Sequence, residues 1–333
     1  MRNPIFMLLL LLICNAAESQ TVPPGMNGVP AWFSAWDFVC QNKFGSSPTI
    51  PTIFLYDDSS YYTTAPLGPT DQHFTAPGPG GRSMTWYTGA HNGTLRIPDG
   101  QSVPLGLMSF AASDSAGHPF FVMATPGFWK NAGVQSKELG LEKLITAVFL
   151  HEFAHTRQQQ GMGATVTAIE QKHPFHDPPL SDDIVQHLFS KDSMYVKIWK
   201  DETDLFYQAA FQPDMRTAKK LTCDALRLLR ERQNRYFTGD KEILRQLDDI
   251  FLTMEGLGQF SGFYWLQHPS GAGFTYATAV EGMRRKRNQW SQEEGLAMFL
   301  VLDKMGLKNW EQDVFSNRPK TIVQQLHTAC GCR

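Results

Sequence analysis

His151, Glu152 and His155 stand within five consecutive residues, His-Glu-Phe-Ala-His. On a helix, side chains four positions apart share a face, so the two imidazoles project together. Two neutral imidazoles at that separation can bind one zinc ion, at roughly 2.0–2.1 Å each. Glu152 falls about 100° round the helix from His151, beside the metal rather than on it. A carboxylate there can take a proton from the water that the metal activates.

The helix that must carry these residues has its own signature. Leu141, Leu144, Ile145, Val148 and Phe149 recur at three- and four-residue spacing, and Ala154 continues the stripe. That is the period of a helix with one apolar face. It is expected to run from Leu139 to about Gln160 and to stop at Gly161. Phe149, Leu150, Phe153 and Ala154 make it a buried helix. Histidines and a glutamate inside such a helix need partners, which a metal supplies.

His-Glu-Phe-Ala-His resembles the zincin metallopeptidases, whose signature is His-Glu-x-x-His. The metzincin subtype needs a glycine at 158 and a histidine at 161, where this chain has Gln158 and Gly161. The gluzincin subtype takes its third ligand, a glutamate, from a second helix. Glu255, in Met254-Glu255-Gly256-Leu257-Gly258, is similar to the Glu-Gly-Leu-Ala helix of many gluzincins. There the small residues let the second helix pack close to the first. Glu294, in Glu293-Glu294-Gly295-Leu296-Ala297, has nearly the same pattern and is the alternative, with Glu202 and Glu170 behind it. Glu255 is preferred because Gln292–Asp303 reads as the helix that follows the ligand helix. About a hundred residues separate His155 from Glu255, which implies an inserted helical block over about 184–237. The resemblance covers only Leu139–Gln160 and Thr253–Phe260.

It implies a zinc-dependent peptidase with one ion per chain, held by His151, His155 and Glu255, with Glu152 as general base. A tetrahedral oxyanion also needs a donor. Tyr264, His268 and Tyr276 follow the ligand helix and are the candidates, although each also reads as packing. By analogy, Pro119–Pro126 is the edge strand along which an extended peptide substrate would pair. His173 and His176 read as exposed loop histidines. Two other readings stay open: a non-catalytic extracytoplasmic binding or structural protein on the same scaffold, and a zinc hydrolase of a non-peptide amide or ester.

Around this site the chain divides by period. From Ala31 to about Phe128, short β-branched or aromatic runs (Thr49–Tyr56, Ser83–Thr88, Phe120–Ala124) alternate with turn clusters. Helical patterns follow at Ile184–Ser190, Met194–Phe211, Thr217–Tyr236, Lys241–Leu266 and Gln292–Met305. The expected fold is α+β and zincin-like: a β-rich subdomain over 20–138, then a helical, metal-binding subdomain over 139–333.

Of the 333 residues, 42% are hydrophobic and 19% charged, enough apolar material for a large core. A net charge of -2 argues against a nucleic-acid partner. The one basic run, Arg284 to Arg287, reads as a solvated segment. Arg2, the apolar stretch Ile5–Cys14 and the small residues Ala16 and Ala17 form the layout of a secretory signal peptide over 1–19. No later stretch is long and apolar enough to span a membrane. The expected location is therefore secreted or otherwise extracytoplasmic. There Cys40, Cys223, Cys330 and Cys332 permit two disulfides in any of three pairings.

Overall fold

A computed structural model describes residues 22–45, 50–286 and 288–332. The expected signal peptide, with Cys14, lies outside the described residues. After a single 3-10 turn at Pro24–Met26, the first α-helix is α1 (Val29–Val39). The chain then forms β1 (Thr52–Tyr56), β2 (Ser60–Thr63), β3 (Gln72–Pro77), β4 (Ser83–Ala90), β5 (Thr94–Arg96), β6 (Ser102–Pro104), β7 (Ser109–Ser113) and β8 (Pro119–Ala124). Helices dominate the rest: α2 (Pro126–Asn131), α3 (Leu141–Gln158), α4 (Ala164–Lys172), α5 (Ile184–Phe189), α6 (Ser193–Phe211) and α7 (Met215–Tyr236). After them come α8 (Leu244–Gln267), α9 (Tyr276–Met283), α10 (Trp290–Met305), α11 (Trp310–Val314) and α12 (Ile322–Cys330). The architecture is α+β, with a mixed sheet first and helices after it.

The expectation of a β-rich segment beginning at Ala31 is corrected by α1. Trp32, Phe33, Trp36 and Val39 are all buried. Their spacing is that of a helix face, and Pro30 sits in the first turn, where its missing N–H does no harm. Aromatic density there hid a helical period.

The main sheet runs β3-β4-β2-β1-β8-β7, and β5 pairs only with β6. β8 is parallel to β1, with Thr52 opposite Phe120, and antiparallel to β7, with Ser109 opposite Met123. The edge-strand expectation for Pro119–Pro126 is therefore corrected. From Phe120 to Ala124, β8 is buried at every residue, as a strand covered on both faces must be. The edge is β7, every residue of which is half-buried.

α1 and α3 cover one face of this sheet. Phe149 and Phe153 of α3 meet Phe121 of β8 with ring centroids 5.4 and 5.3 Å apart, and Trp36 of α1 closes on Phe153 at 5.1 Å. α3 does not stop at Gly161, as its glycine suggested. The chain passes through a π-turn, Gln159–Gly163, directly into α4. The small residue serves a close approach instead: a Cβ on Gly161 would lie 2.5 Å from the Ser316 carbonyl oxygen.

Behind α3 lies α8, buried at every residue from Ile250 to Phe263. A helix apolar all round belongs in a core. α8 packs between α3 and α10, and α10 packs on α6, which pairs with α7. Cys223 of α7 is bonded to Cys332 beyond α12, while Cys40 and Cys330 are free. One bridge, not two, forms among the described residues. None of the helices in those residues is long and apolar enough to cross a membrane.

Candidate metal centre

α3 presents His151 and His155 one turn apart, and their Nε2 atoms approach to 3.0 Å with the rings nearly perpendicular, at 86°. Glu255, from the middle of α8, reaches both: Oε2 lies 3.2 Å from His151 Nε2, and Oε1 lies 3.4 Å from His155 Nε2. The three residues are 5–6% exposed, and one ligand atom from each lies within 4.8 Å of the others. This buried group can hold a metal ion.

Their protonation suits that role. Burial pushes His151 down to about 4, so its ring is neutral near pH 7. Burial alone would raise Glu255, but the two imidazoles and the Gln292 amide overcome it and hold the carboxyl at about 2. His155 has its tautomer chosen by Gln158, whose Oε1 lies 2.7 Å from Nδ1. An amide oxygen only accepts, so Nδ1 carries a proton and Nε2 is the nitrogen turned toward His151 and Glu255. Two imidazoles and one carboxylate fit a divalent ion.

Glu152 faces the same space without joining the three. Burial raises its carboxyl well above the ordinary range, with Glu255 and Asp182 adding to the effect and Arg285 opposing it. A carboxylate with heightened proton affinity beside a metal-ligand set is suited to proton transfer.

A cavity of about 380 Å³ opens onto these side chains. Ser109, Phe110 and Ala111 of the edge strand line it, together with Asp182 and Gln289. Gln159, in the π-turn that follows α3, ties the strand to that helix, its amide donating to the Ala111 carbonyl at 3.3 Å. A larger groove, about 1200 Å³, opens beside α4 and the start of α8, but none of the three ligands lines it. Size does not mark the chemical site here; the converging donors do.

Several expected residues lie elsewhere. Glu294, the alternative ligand, is buried against Arg232, its Oε2 3.7 Å from Nη2. Arg232 also holds Glu202 at 2.6 Å and Asp248 at 3.3 Å. The carboxyl groups of Glu294 and Glu202 thus gather at the Arg232 guanidinium. Glu170 is exposed on α4.

None of the three expected oxyanion donors lines the cavity. α8 continues to Gln267, so Tyr264 lies about 13 Å along the axis from Glu255. It donates instead to the Asn42 carbonyl at 3.4 Å. His268 packs against Phe38 at 4.8 Å and accepts from the Ser270 N–H. Tyr276 is 38% exposed beside Phe211 and Phe263. His173 and His176 are exposed, as loop histidines should be.

The basic run is solvated only in part: Lys286 is exposed, whereas both arginines before it are engaged. Arg284 donates to Glu293 Oε1 at 2.6 and 2.8 Å, and Arg285 donates to Gln292 Oε1 at 3.0 Å. Arg287 lies outside the described residues.

The sequence reading passed over Gln158, Asp182, Gln292 and Arg285. Gln158 had a usable signal, being three residues from His155 on one helix. The others come from distant segments and carried none. No family model, curated protein or solved structure matches the chain.

Proposed function

We propose that this chain is an exported, zinc-dependent hydrolase of the metallopeptidase type, with a zincin-like site of the gluzincin kind. The carrying observation is the convergence of His151, His155 and Glu255 beside Glu152, in a cavity that a sheet edge lines. Zinc is the ion that two histidines and one glutamate suit best. Three protein ligands converge among the described residues, whereas structural zinc sites are usually closed by four.

A bound zinc ion would polarise the substrate carbonyl and lower the pKa of a water. Glu152 would take a proton from the attacking water and hand it to the leaving amine. An extended peptide would pair along the edge strand β7, across the cavity beside Glu152. Gln159 bonds this strand through the Ala111 carbonyl, and its Phe110 packs against Phe120 of β8. The apolar Ile5–Cys14 stretch and the Cys223–Cys332 bond support an extracytoplasmic setting.

The test pairs metal analysis with Glu152→Gln. The parent should carry about one zinc per chain and cleave some member of a peptide library. The variant should keep its zinc and lose turnover by on the order of 10²–10⁴-fold. A variant as active as the parent removes Glu152 from the chemistry. A folded parent that takes up no zinc removes the metal reading altogether.

A further inference from the structure

We infer that Gln292 is a positioning residue that sets the Glu255 carboxylate toward the two histidines, and that Arg285 and Gln259 lock its amide in the required sense. The inference rests on the metal reading of His151, His155 and Glu255.

The contact begins with two glycines. α8 and α10 touch backbone to backbone where Gly256 faces Gly295: a Cβ on Gly256 would fall 2.5–2.6 Å from Gly295 atoms. Glu255 adjoins the first glycine, and Gln292 stands one turn before the second. At this separation a glutamine reaches a glutamate directly, and Gln292 Nε2 donates to Glu255 Oε2 at 3.0 Å.

An amide has a donor end and an acceptor end, and only one sense serves the site. Reversed, Gln292 would set its oxygen against the carboxylate oxygen, two acceptors with no proton between them. Two donors forbid that reversal. Gln259 Nε2 donates to Gln292 Oε1, and Arg285 Nε donates to the same oxygen at 3.0 Å. Gln259 comes from α8, one turn beyond Glu255. Arg285 comes from the segment after α9, and α10 aims it. Glu293, 1% exposed, accepts from the backbone N–H of Arg285 at 2.8 Å and of Lys286 at 2.7 Å. Lys286 takes the left-handed conformation, φ 50°, in that turn. The chain of contacts runs from Glu293 through Arg285 and Gln292 to Glu255. Its terminus is a ligand, and hydrogen-bonded outer partners orient metal ligands and raise affinity.

The test measures zinc affinity by chelator competition, the melting temperature of the metal-free protein, and the visible spectrum of the cobalt-substituted protein. Gln292→Met keeps the side-chain length and removes the amide. It should lower zinc affinity roughly 10–100-fold, shift the cobalt bands, and leave the metal-free melting temperature within a few degrees. Gln292→Glu, which sets carboxylate against carboxylate, should lose at least as much. Arg285→Met, outside the helices, should move affinity in the same direction by a smaller factor.

Zinc affinity within twofold of the parent in Gln292→Met overturns the inference, as does a fall in metal-free stability with no change in affinity or spectrum. If Gln292→Met does not fold, Arg285→Met decides: unchanged affinity and unchanged cobalt bands overturn the lock. A parent that binds no zinc defeats the metal reading itself. A parent that binds zinc beside an indifferent Gln292→Met defeats this inference alone.

Discussion

Gly258 of α8 lies directly against the ring of His151: a Cβ on it would stand 2.6 Å from Nδ1 and 2.7 Å from Cε1. One turn on, Gly262 faces Ala147 of α3, where a Cβ would come within 3.2 Å of the alanine Cβ. Glu255, Gly258 and Gly262 share a helix face. The two missing side chains let α8 approach α3 closely enough for a glutamate to reach both imidazoles.

Gly258→Ala should therefore cost metal binding while sparing the helix. Alanine favours a helix interior by about 1 kcal/mol over glycine, yet its methyl must displace the ring or part the helices. Zinc affinity should fall more than tenfold, measured by chelator competition. Unchanged uptake would show that the separation of α3 and α8 does not set the site.

Glu255→Ala and Glu294→Gln should separate the two sequence candidates. The first should abolish tight zinc uptake, and the second should leave it intact. Glu294 has a different signature, since burial pushes its carboxyl up to about 8 from an ordinary 4.5. Between those values the unfolded chain has released a proton that the folded chain keeps, so stability falls as pH rises. Melting temperatures of metal-free protein should show that fall from about pH 4.5 to 8, and Glu294→Gln should flatten it. An identical slope in the variant would assign the pH dependence to other groups.

Arg232 should be the charge whose loss the helical half tolerates least. It is 1% exposed and faces Glu202, Asp248 and Glu294. Arg232→Met removes the cation that these three buried carboxyl groups share, which costs roughly 3–5 kcal/mol. Denaturant unfolding measures this directly. Combining it with Glu202→Gln should recover part of the loss, and purely additive losses would mean the groups are not coupled.

Reduction of the Cys223–Cys332 bond should destabilise the protein by about 2–5 kcal/mol, because it releases a long closed loop in the unfolded chain. The bridged residues are 109 positions apart. Cys332→Ser should match the reduced parent in denaturant unfolding and show no further response to reductant. A parent indifferent to reductant would mean that the tail contributes nothing to stability.

What the sequence determined by itself was local. His151 and His155 share a face because helix geometry couples positions four apart, whatever surrounds them. The apolar stripe from Leu141 to Phe149 showed the same helix, and the glycines after Glu255 marked a close approach before any partner was known. α6, α7 and α8 were readable for the same reason, their period being short-ranged.

Only the tertiary structure decided which strand forms the sheet edge, because the burial of β8 depends on β1, far back in the chain, lying beside it. It also decided between Glu255 and Glu294, which have nearly identical neighbours in sequence but opposite partners in space. Arg285 turned inward for a related reason: Glu293 folds its backbone round a buried carboxylate. Such choices are made by contacts between distant segments, where burial raises the cost of every unpaired charge, and no local period records them.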